Sequence, residues 1–387
     1  MKVLYVSKAL VVAAYRDKLR ELAAHVDVAA LVPERWGEQT PEPDPDAASA
    51  PPILTRPALL HGHNHFHVYR GAGAVLDAVR PDLVHIDEEP YSIVTLQFAE
   101  LCRARGIPSL FFAWQNLAKR LPPPFGALRA RVFRLVAGGI AGTAAAARVL
   151  RDAGYRGPLA VIPQFGVNPV RFAPDARARA DVRARLGIGE GAFLVGFGGR
   201  LVPEKGVHLL LEALASLAGD AHLLVMGDGP ERPRLEAQAA QGGIAERVHF
   251  VGAVPSVAMP RWLAALDVLA LPSLRKKGWA EQFGRILVEA MACGVPVVGS
   301  ATGEVPEVVG EGGVVVPEAD AAALAAALRG FATMSPDALA EARLRARAWV
   351  CSRYTQERVA RETVEFYRQL MNEQSGGAAS RRRVAVG

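Results

Sequence analysis

The apolar pattern changes little from end to end: short β-branched runs alternate with helix-length amphipathic segments. In the first half such runs predict strands at residues 2–6, 26–32, 82–86, 109–112 and 159–162. In the second half they fall at 192–198, 222–226, 248–251, 268–271, 295–299 and 313–316. Strands separated by helical stretches build right-handed βαβ units, and these make parallel sheets covered on both faces. The pattern restarts after about residue 170, where Val167, Asn168 and Pro169 precede an arginine-rich helical stretch at 175–186. The expected fold class is therefore α/β, with two doubly wound, Rossmann-like domains at 1–170 and 171–354. Ligands of such sheets bind beyond the C-terminal strand edges, so two facing domains would share a central cleft. Residues 41–52 are a loop by composition, and 373–387 are expected to be a disordered basic tail.

A chain of 387 residues, 51% hydrophobic and 22% charged, is large enough to bury two cores. This composition excludes a disordered chain, a disulfide-stapled miniprotein and a collagen-like repeat. Cys102, Cys293 and Cys351 lie far apart, which points to no disulfide framework, no cysteine zinc site and a reducing compartment. The most apolar stretch, 135–147, is short, mostly Gly and Ala, and closed by Arg134 and Arg148, so no bilayer-spanning helix is expected. Near the N-terminus Arg16, Asp17 and Lys18 stand where a signal peptide would place its cleavage site, and a cytoplasmic location is the expectation.

The net charge of +6 is unevenly spread. Residues 101–151 hold Arg103, Arg105, Lys119, Arg120, Arg129, Arg131, Arg134, Arg148 and Arg151 and no acid. Such a block attracts phosphate, whether in an anionic membrane surface, a nucleic acid or a phosphorylated small molecule; a solvated arginine face is an equally good reading. No nucleic-acid motif accompanies it, and a nucleic-acid partner is not expected.

The chemistry concentrates in the second half. Gly198-Gly199-Arg200-Leu201-Val202-Pro203-Glu204-Lys205-Gly206 follows a predicted strand and opens a helix. Glycines admit a ligand close to the backbone, a helix N-terminus favours an anion, and Arg200 and Lys205 can both reach a diphosphate. Further on, Glu281-Gln282-Phe283-Gly284 leads into a helix bearing Glu289 among apolar residues. A carboxylate there needs donors, and two adjacent sugar hydroxyls would supply them, although a structural salt bridge would serve as well.

With Gly227-Asp228-Gly229-Pro230 and Gly303-Glu304-Val305-Pro306-Glu307, these motifs resemble, in order and spacing, the retaining GT-B glycosyltransferases of family 4. The resemblance is strong from about residue 191 to 316. It implies a GT-B fold, with the nucleotide sugar held by the C-terminal domain and the acceptor by the N-terminal one. A C-terminal helix at about 355–372 would return to complete the first domain. It further implies hexosyl transfer with retention, catalysed by Glu281, Arg200 and Lys205. Gly199, Arg200, Lys205, Glu281, Phe283, Gly284 and Glu289 would bind the donor. Glu307 matches the family's Gly-Gly-x-x-Glu element, with Glu304 in place of its second glycine; Gln282 replaces another common glycine. The one Asp-x-Asp, Asp44-Pro45-Asp46, lies in the 41–52 loop away from the donor motifs, so no metal or other cofactor is expected beyond the NDP-sugar co-substrate.

The first half departs from the family pattern. Its first turn reads Ser7-Lys8-Ala9-Leu10, without the usual glycines, and Ala113-Trp114-Gln115-Asn116 carries no histidine. Lys8, His85, Glu88, Glu89, Gln115 and Asn116 are the candidate acceptor-side residues. His61, His63, His65 and His67 alternate, so an extended segment would align four imidazoles on one face, yet no carboxylate or cysteine is spaced to join them in a metal site. The favoured function is synthesis of a cell-surface polysaccharide or lipid-linked glycan, with residues 101–151 docking on the inner membrane face. Glycosylation of a soluble small molecule, an NDP-sugar epimerase and a non-catalytic nucleotide-sugar sensor are the competing readings.

Overall fold

A computed structural model of the chain describes residues 1–44, 50–217 and 219–384, with side chains as far as residue 374. Residues 45–49, inside the expected 41–52 loop, and 385–387, at the end of the expected tail, lie outside the described residues. The chain divides into two units: Met1–Gly166 together with the segment from Gln356 onward, and Val167–Thr355.

The first unit contains strands β1 (Lys2–Val6), β2 (Asp27–Pro33), β3 (Ile53–Arg56), β4 (Ala58–Leu59), β5 (Val68–Tyr69), β6 (Leu83–Ile86), β7 (Ser109–Ala113), β8 (Gly138–Ala141) and β9 (Leu159–Val161). Seven of them form a sheet in the order β3-β2-β1-β6-β7-β8-β9, parallel at every pairing, while β4 and β5 make a small antiparallel hairpin. Along β1 the side chains alternate between two cores. Val3 and Tyr5 pack with Leu19, Phe112 and Tyr367, whereas Leu4 and Val6 pack with Val84, Ile86 and Phe98. Apolar residues on both faces are what a parallel sheet covered by helices requires.

The hairpin strands β4 and β5 escape the hydrophobic pattern, and so do two strands of the large sheet, β3 and β8. The second lies inside the Gly/Ala-rich stretch 135–147. A Cβ on Gly138 would lie 2.7 Å from Leu370 Cδ2, and one on Gly139 would lie 2.5 Å from the Phe111 ring. The missing side chains make room for the last helix and for an aromatic neighbour, so the apolar volume of β8 comes from other elements. That last helix runs Gln356–Val384 and buries Val359, Ala360, Val364, Tyr367 and Leu370 on one stripe. It continues through residues 373–384, where a tail without structure was expected. No proline interrupts the run.

In the second unit β10 (Phe193–Gly198), β11 (Ala221–Met226), β12 (Val248–Gly252), β13 (Val268–Leu271), β14 (Val297–Ser300) and β15 (Gly313–Val316) form one parallel sheet, ordered β12-β11-β10-β13-β14-β15. The order reverses direction beside β10, which puts a topological switch point at the C-terminal ends of β10 and β13. Among the described residues no helix is long and apolar enough to cross a membrane.

Gly139→Val tests the packing of β8. Its methyls would collide with the buried Phe111 ring, and stability measured by urea unfolding should fall by about 1–3 kcal/mol.

Candidate active site

At the switch point of the second unit, Gly199 N donates to Met226 O at 3.0 Å. The chain then makes a short 3-10 turn at Pro203–Lys205 and enters the helix Val207–Ala215 through Gly206. Gly206 has φ +68°, and a Cβ there would sit 2.0 Å from Pro272 O. Only glycine lets this turn lie against the segment after β13, which carries Ser273. As a result Lys205 Nζ stands 2.6 Å from Glu281 Oε2, and Ser273 Oγ donates to the same oxygen at 2.9 Å. The Lys205 ammonium also lies 5.3 Å from the centre of the Trp279 ring, within cation–π range. The pair keeps some access to solvent, with 20% of the Lys205 side chain and 11% of that of Glu281 exposed.

The Gly303–Glu307 motif fixes the backbone of Glu281. Gly303 has φ +55°, a Cβ on it would fall 1.8 Å from Glu281 O, and Glu304 N donates to that oxygen at 3.1 Å. Here Glu304 is buried and Glu307 is exposed.

The remaining residues of the second motif separate into different settings. Gly284, with φ +74°, caps the helix Arg285–Ala292. Glu289 on that helix is buried and accepts from Arg285 Nε at 2.7 Å. Burial pushes its carboxyl up, against the opposing pull of Arg285 and Arg171. Phe283 is buried and meets the Tyr354 ring edge-on at 5.6 Å, so its ring belongs to the packing of the unit and not to an open ligand surface. Arg200 is exposed, at the end of the Gly-Gly turn, and forms no ion pair among the described residues. Sequence reasoning missed Ser273, Trp279 and Arg285; the only available signal was the position of Ser273 just beyond a predicted strand.

In the first unit the corresponding strand ends hold a buried charge cluster. Asp87 accepts from Ser7 Oγ at 2.8 Å and Gln164 Nε2 at 2.6 Å, with Lys18 Nζ at 3.5 Å. Burial alone would raise Asp87, but Lys18, His85 and the hydrogen bonds from Gln164 and Ser7 together outweigh it and hold the carboxyl low. Beside it, Glu88 pairs with Lys8, whose ammonium lies 5.5 Å from the Trp36 ring centre. Glu89 Oε1 accepts from the backbone N–H groups of Trp114 at 2.8 Å and Gln115 at 3.0 Å. Burial raises both glutamates to about 7, despite Lys8 on Glu88 and the two amides on Glu89. Lys8, Glu88, Glu89 and Gln115 are thus brought together, with Asn116 next in the chain. His85 is not among them. It is buried within β6, its Nδ1 is 2.6 Å from the Tyr367 hydroxyl of the last helix, and burial pulls it down to about 3.

The four alternating histidines do not share a face. Turns bonded Leu60 to His63 and His63 to Phe66 coil the segment, leaving His61 and His63 exposed. His65 Nδ1 meets Ser92 Oγ at 3.0 Å, and His67 is fully buried against Trp36. Among the described residues no three His, Cys, Asp or Glu side chains are grouped so as to hold a metal ion.

Residues 178–348 match the model of the family described as glycosyl transferases group 1. Over 188 residues the chain is 39% identical to a GDP-mannose-dependent alpha-(1-6)-phosphatidylinositol monomannoside mannosyltransferase of Mycolicibacterium smegmatis, covering 46% of this chain and 49% of the relative. It is 36% identical over 228 residues to 2-deoxystreptamine N-acetyl-D-glucosaminyltransferase of Streptomyces fradiae, covering 57% and 52%. The match thus spans about half the length of these curated relatives. In three dimensions the chain is similar to HepE of Anabaena, solved in complex with UDP, with a TM-score of 0.76 at 21% identity, covering 95% of this chain and 100% of that one. The fold class is GT-B.

The raised carboxyl of Glu89 has a testable consequence. Its folded-state value of about 7 exceeds the ordinary 4.5, so the native state favours the protonated form. The stability this contributes is complete below about pH 4.5 and is lost as pH rises through 7. Glu89→Gln keeps the acceptor oxygen and removes the titration. In urea unfolding, the variant should gain on the wild type by about 1–3 kcal/mol between pH 5 and pH 8.

Proposed function

We propose that the chain is a retaining, metal-independent glycosyltransferase that moves a hexosyl group from an NDP-sugar to a hydroxyl acceptor. The observation that carries this reading is the Lys205–Glu281 pair at the carboxyl edge of a group 1 domain, with Arg200 exposed on the adjoining turn. A diphosphate brings the anionic partner that Arg200 lacks and competes with Glu281 for Lys205. Glu281, released in part from the ammonium, then accepts from hydroxyls of the donor sugar. Glu289 serves the nucleotide ribose in the same way, and the N-terminus of the helix after Gly284 favours the phosphates.

In the transfer the anomeric C–O bond to the diphosphate breaks and the acceptor oxygen bonds to the same face of the sugar. The acceptor's proton passes to the departing phosphate oxygen, so no protein base is needed. Arg200 and Lys205 stabilise the negative charge as it develops on the leaving group. In the first unit Lys8, Glu88, Glu89, Gln115 and Asn116 supply the contacts to the acceptor. Nucleotide-sugar use by the mannosyltransferase relative, and UDP in HepE, support the donor class.

The acceptor we propose is lipid-linked, met at the inner membrane face. Within residues 101–151, Arg105 and Arg131 are tied to Asp77 and Glu100 at 2.8 and 2.7 Å, while Arg103, Lys119, Arg120, Arg134 and Arg148 remain exposed. These five are the cations available to anionic headgroups.

Lys205→Ala and Glu289→Ala should each lower turnover by at least about 10²-fold in a chain that still folds, as judged by circular dichroism. Transfer measured with a panel of UDP-, GDP- and ADP-sugars checks this, and near-normal turnover in either variant would remove the site assignment. Vesicles containing anionic lipid should carry the protein upward in flotation at low salt and release it at high salt. A protein that stays at the bottom of the low-salt gradient favours a soluble acceptor, such as the aminocyclitol named for the Streptomyces relative.

A further inference from the structure

At the opposite edge of the second sheet lies a groove of about 760 Å³. Its lining includes Phe193, the first residue of β10, Asp267, just ahead of β13, and Val295, just ahead of β14. It is therefore at the amino ends of the strands, about 20 Å of strand length away from the Lys205–Glu281 pair. The volume is that of a small-molecule pocket.

Among its lining residues Arg179, Arg343 and Arg347 stand against Asp175, Glu190 and Asp267, with the arginines crowded on Asp267. Asp267 receives Arg179 at 2.6 Å, Arg183 at 2.6 Å and Arg343 at 2.8 Å, three guanidiniums on one carboxylate. Leu194 N donates to the same carboxylate at 2.9 Å. Arg179 and Arg183 spend their other donors on backbone carbonyls of Ala265, Leu266 and Ala192. Arg347, which also lines the groove, is likewise occupied by the carbonyls of Pro169, Phe172 and Ala292. Arg343 differs, because its Nε is buried without an acceptor. Burial and the neighbouring Arg179 pull the Arg343 guanidinium below the ordinary arginine range. An unpaired donor on a cation in this position is costly unless an anion joins it.

The rest of the groove is largely apolar. Leu266, Phe331, Met334, Leu339 and Leu344 line it, and Leu344 is 71% exposed. We propose that this groove is a second binding site, for a small organic anion with an apolar body. Its carboxylate would meet Arg343, and its hydrocarbon part would cover Phe331, Leu339 and Leu344. The proposal is independent of the glycosyl-transfer reading, since it concerns another edge of the sheet and is tested by binding alone.

Octanoate and 1-octanol are the probes, titrated calorimetrically into the full chain. Octanoate should bind one per chain, and the alcohol at least about tenfold more weakly, because it cannot supply the charge. Arg343→Met should weaken octanoate at least about tenfold and leave the alcohol unchanged. Ala340 is an exposed residue of the lining, so Ala340→Trp fills the groove without entering the core and should abolish both interactions. This variant keeps the test intact if Arg343→Met does not fold. Absence of octanoate binding at about 1 mM, equal affinity for acid and alcohol, or octanoate binding that survives Ala340→Trp would overturn the proposal. A dimeric solution mass that becomes monomeric in Ala340→Trp would assign the groove to a second copy of the chain and overturn it as well.

Discussion

The second unit is organised around an ammonium and a carboxylate held 2.6 Å apart at the carboxyl edge of a parallel sheet. A largely buried glutamate needs a cation, and Lys205 reaches Glu281 only because two backbone approaches bring their loops together. Gly206 lets the lysine turn touch Pro272, and Gly303 lets the next loop touch the Glu281 carbonyl. Ser273 then occupies a remaining lone pair of the carboxylate. Each member of the pair has chemistry to offer a ligand that separates them. A diphosphate is a better partner for lysine than one carboxylate, and sugar hydroxyls are good donors to the glutamate so released.

The first unit uses burial differently. Asp87 is surrounded by Ser7, Lys18 and Gln164 and stays ionised, which fixes the end of β6 against the first turn. Burial raises both Glu88 and Glu89. Neighbouring acids in one short loop thus have opposite tendencies, set by whether the charges and donors around each together outweigh desolvation. The loss of the glycines from the first turn is linked to this arrangement, since Lys8 occupies that turn and supplies the cation for Glu88.

Much of the fold was legible because parallel strands bury both faces and therefore appear as short apolar runs. Each such run in the second half overlaps an observed strand. The strand β8 was not legible, since its residues are small and its packing volume is contributed by Phe111 and the last helix. The histidine tract misled for a related reason. Alternation puts residues on one face only if the backbone is extended, and the turns at Leu60–Phe66 are set by contacts that the spacing does not encode. The rings of His85 and Phe283, candidate site residues from their place in a motif, meet Tyr367 and Tyr354, far away in the chain, which spacing alone does not encode.

What the sequence by itself determined was the alternation of strands and helices, the restart of the pattern near residue 170, and the order of the Gly, Arg, Lys and Glu motifs. These are local or periodic features, and local backbone preferences write them directly into the residue types. Only the tertiary structure decided that Lys205 meets Glu281, that Glu289 rests on Arg285, and that three arginines converge on Asp267. Most of these partners lie dozens of residues apart and are joined by parallel crossovers, so their meeting depends on strand order; even the single helical turn between Arg285 and Glu289 owes its effect to the burial that the packed sheet imposes.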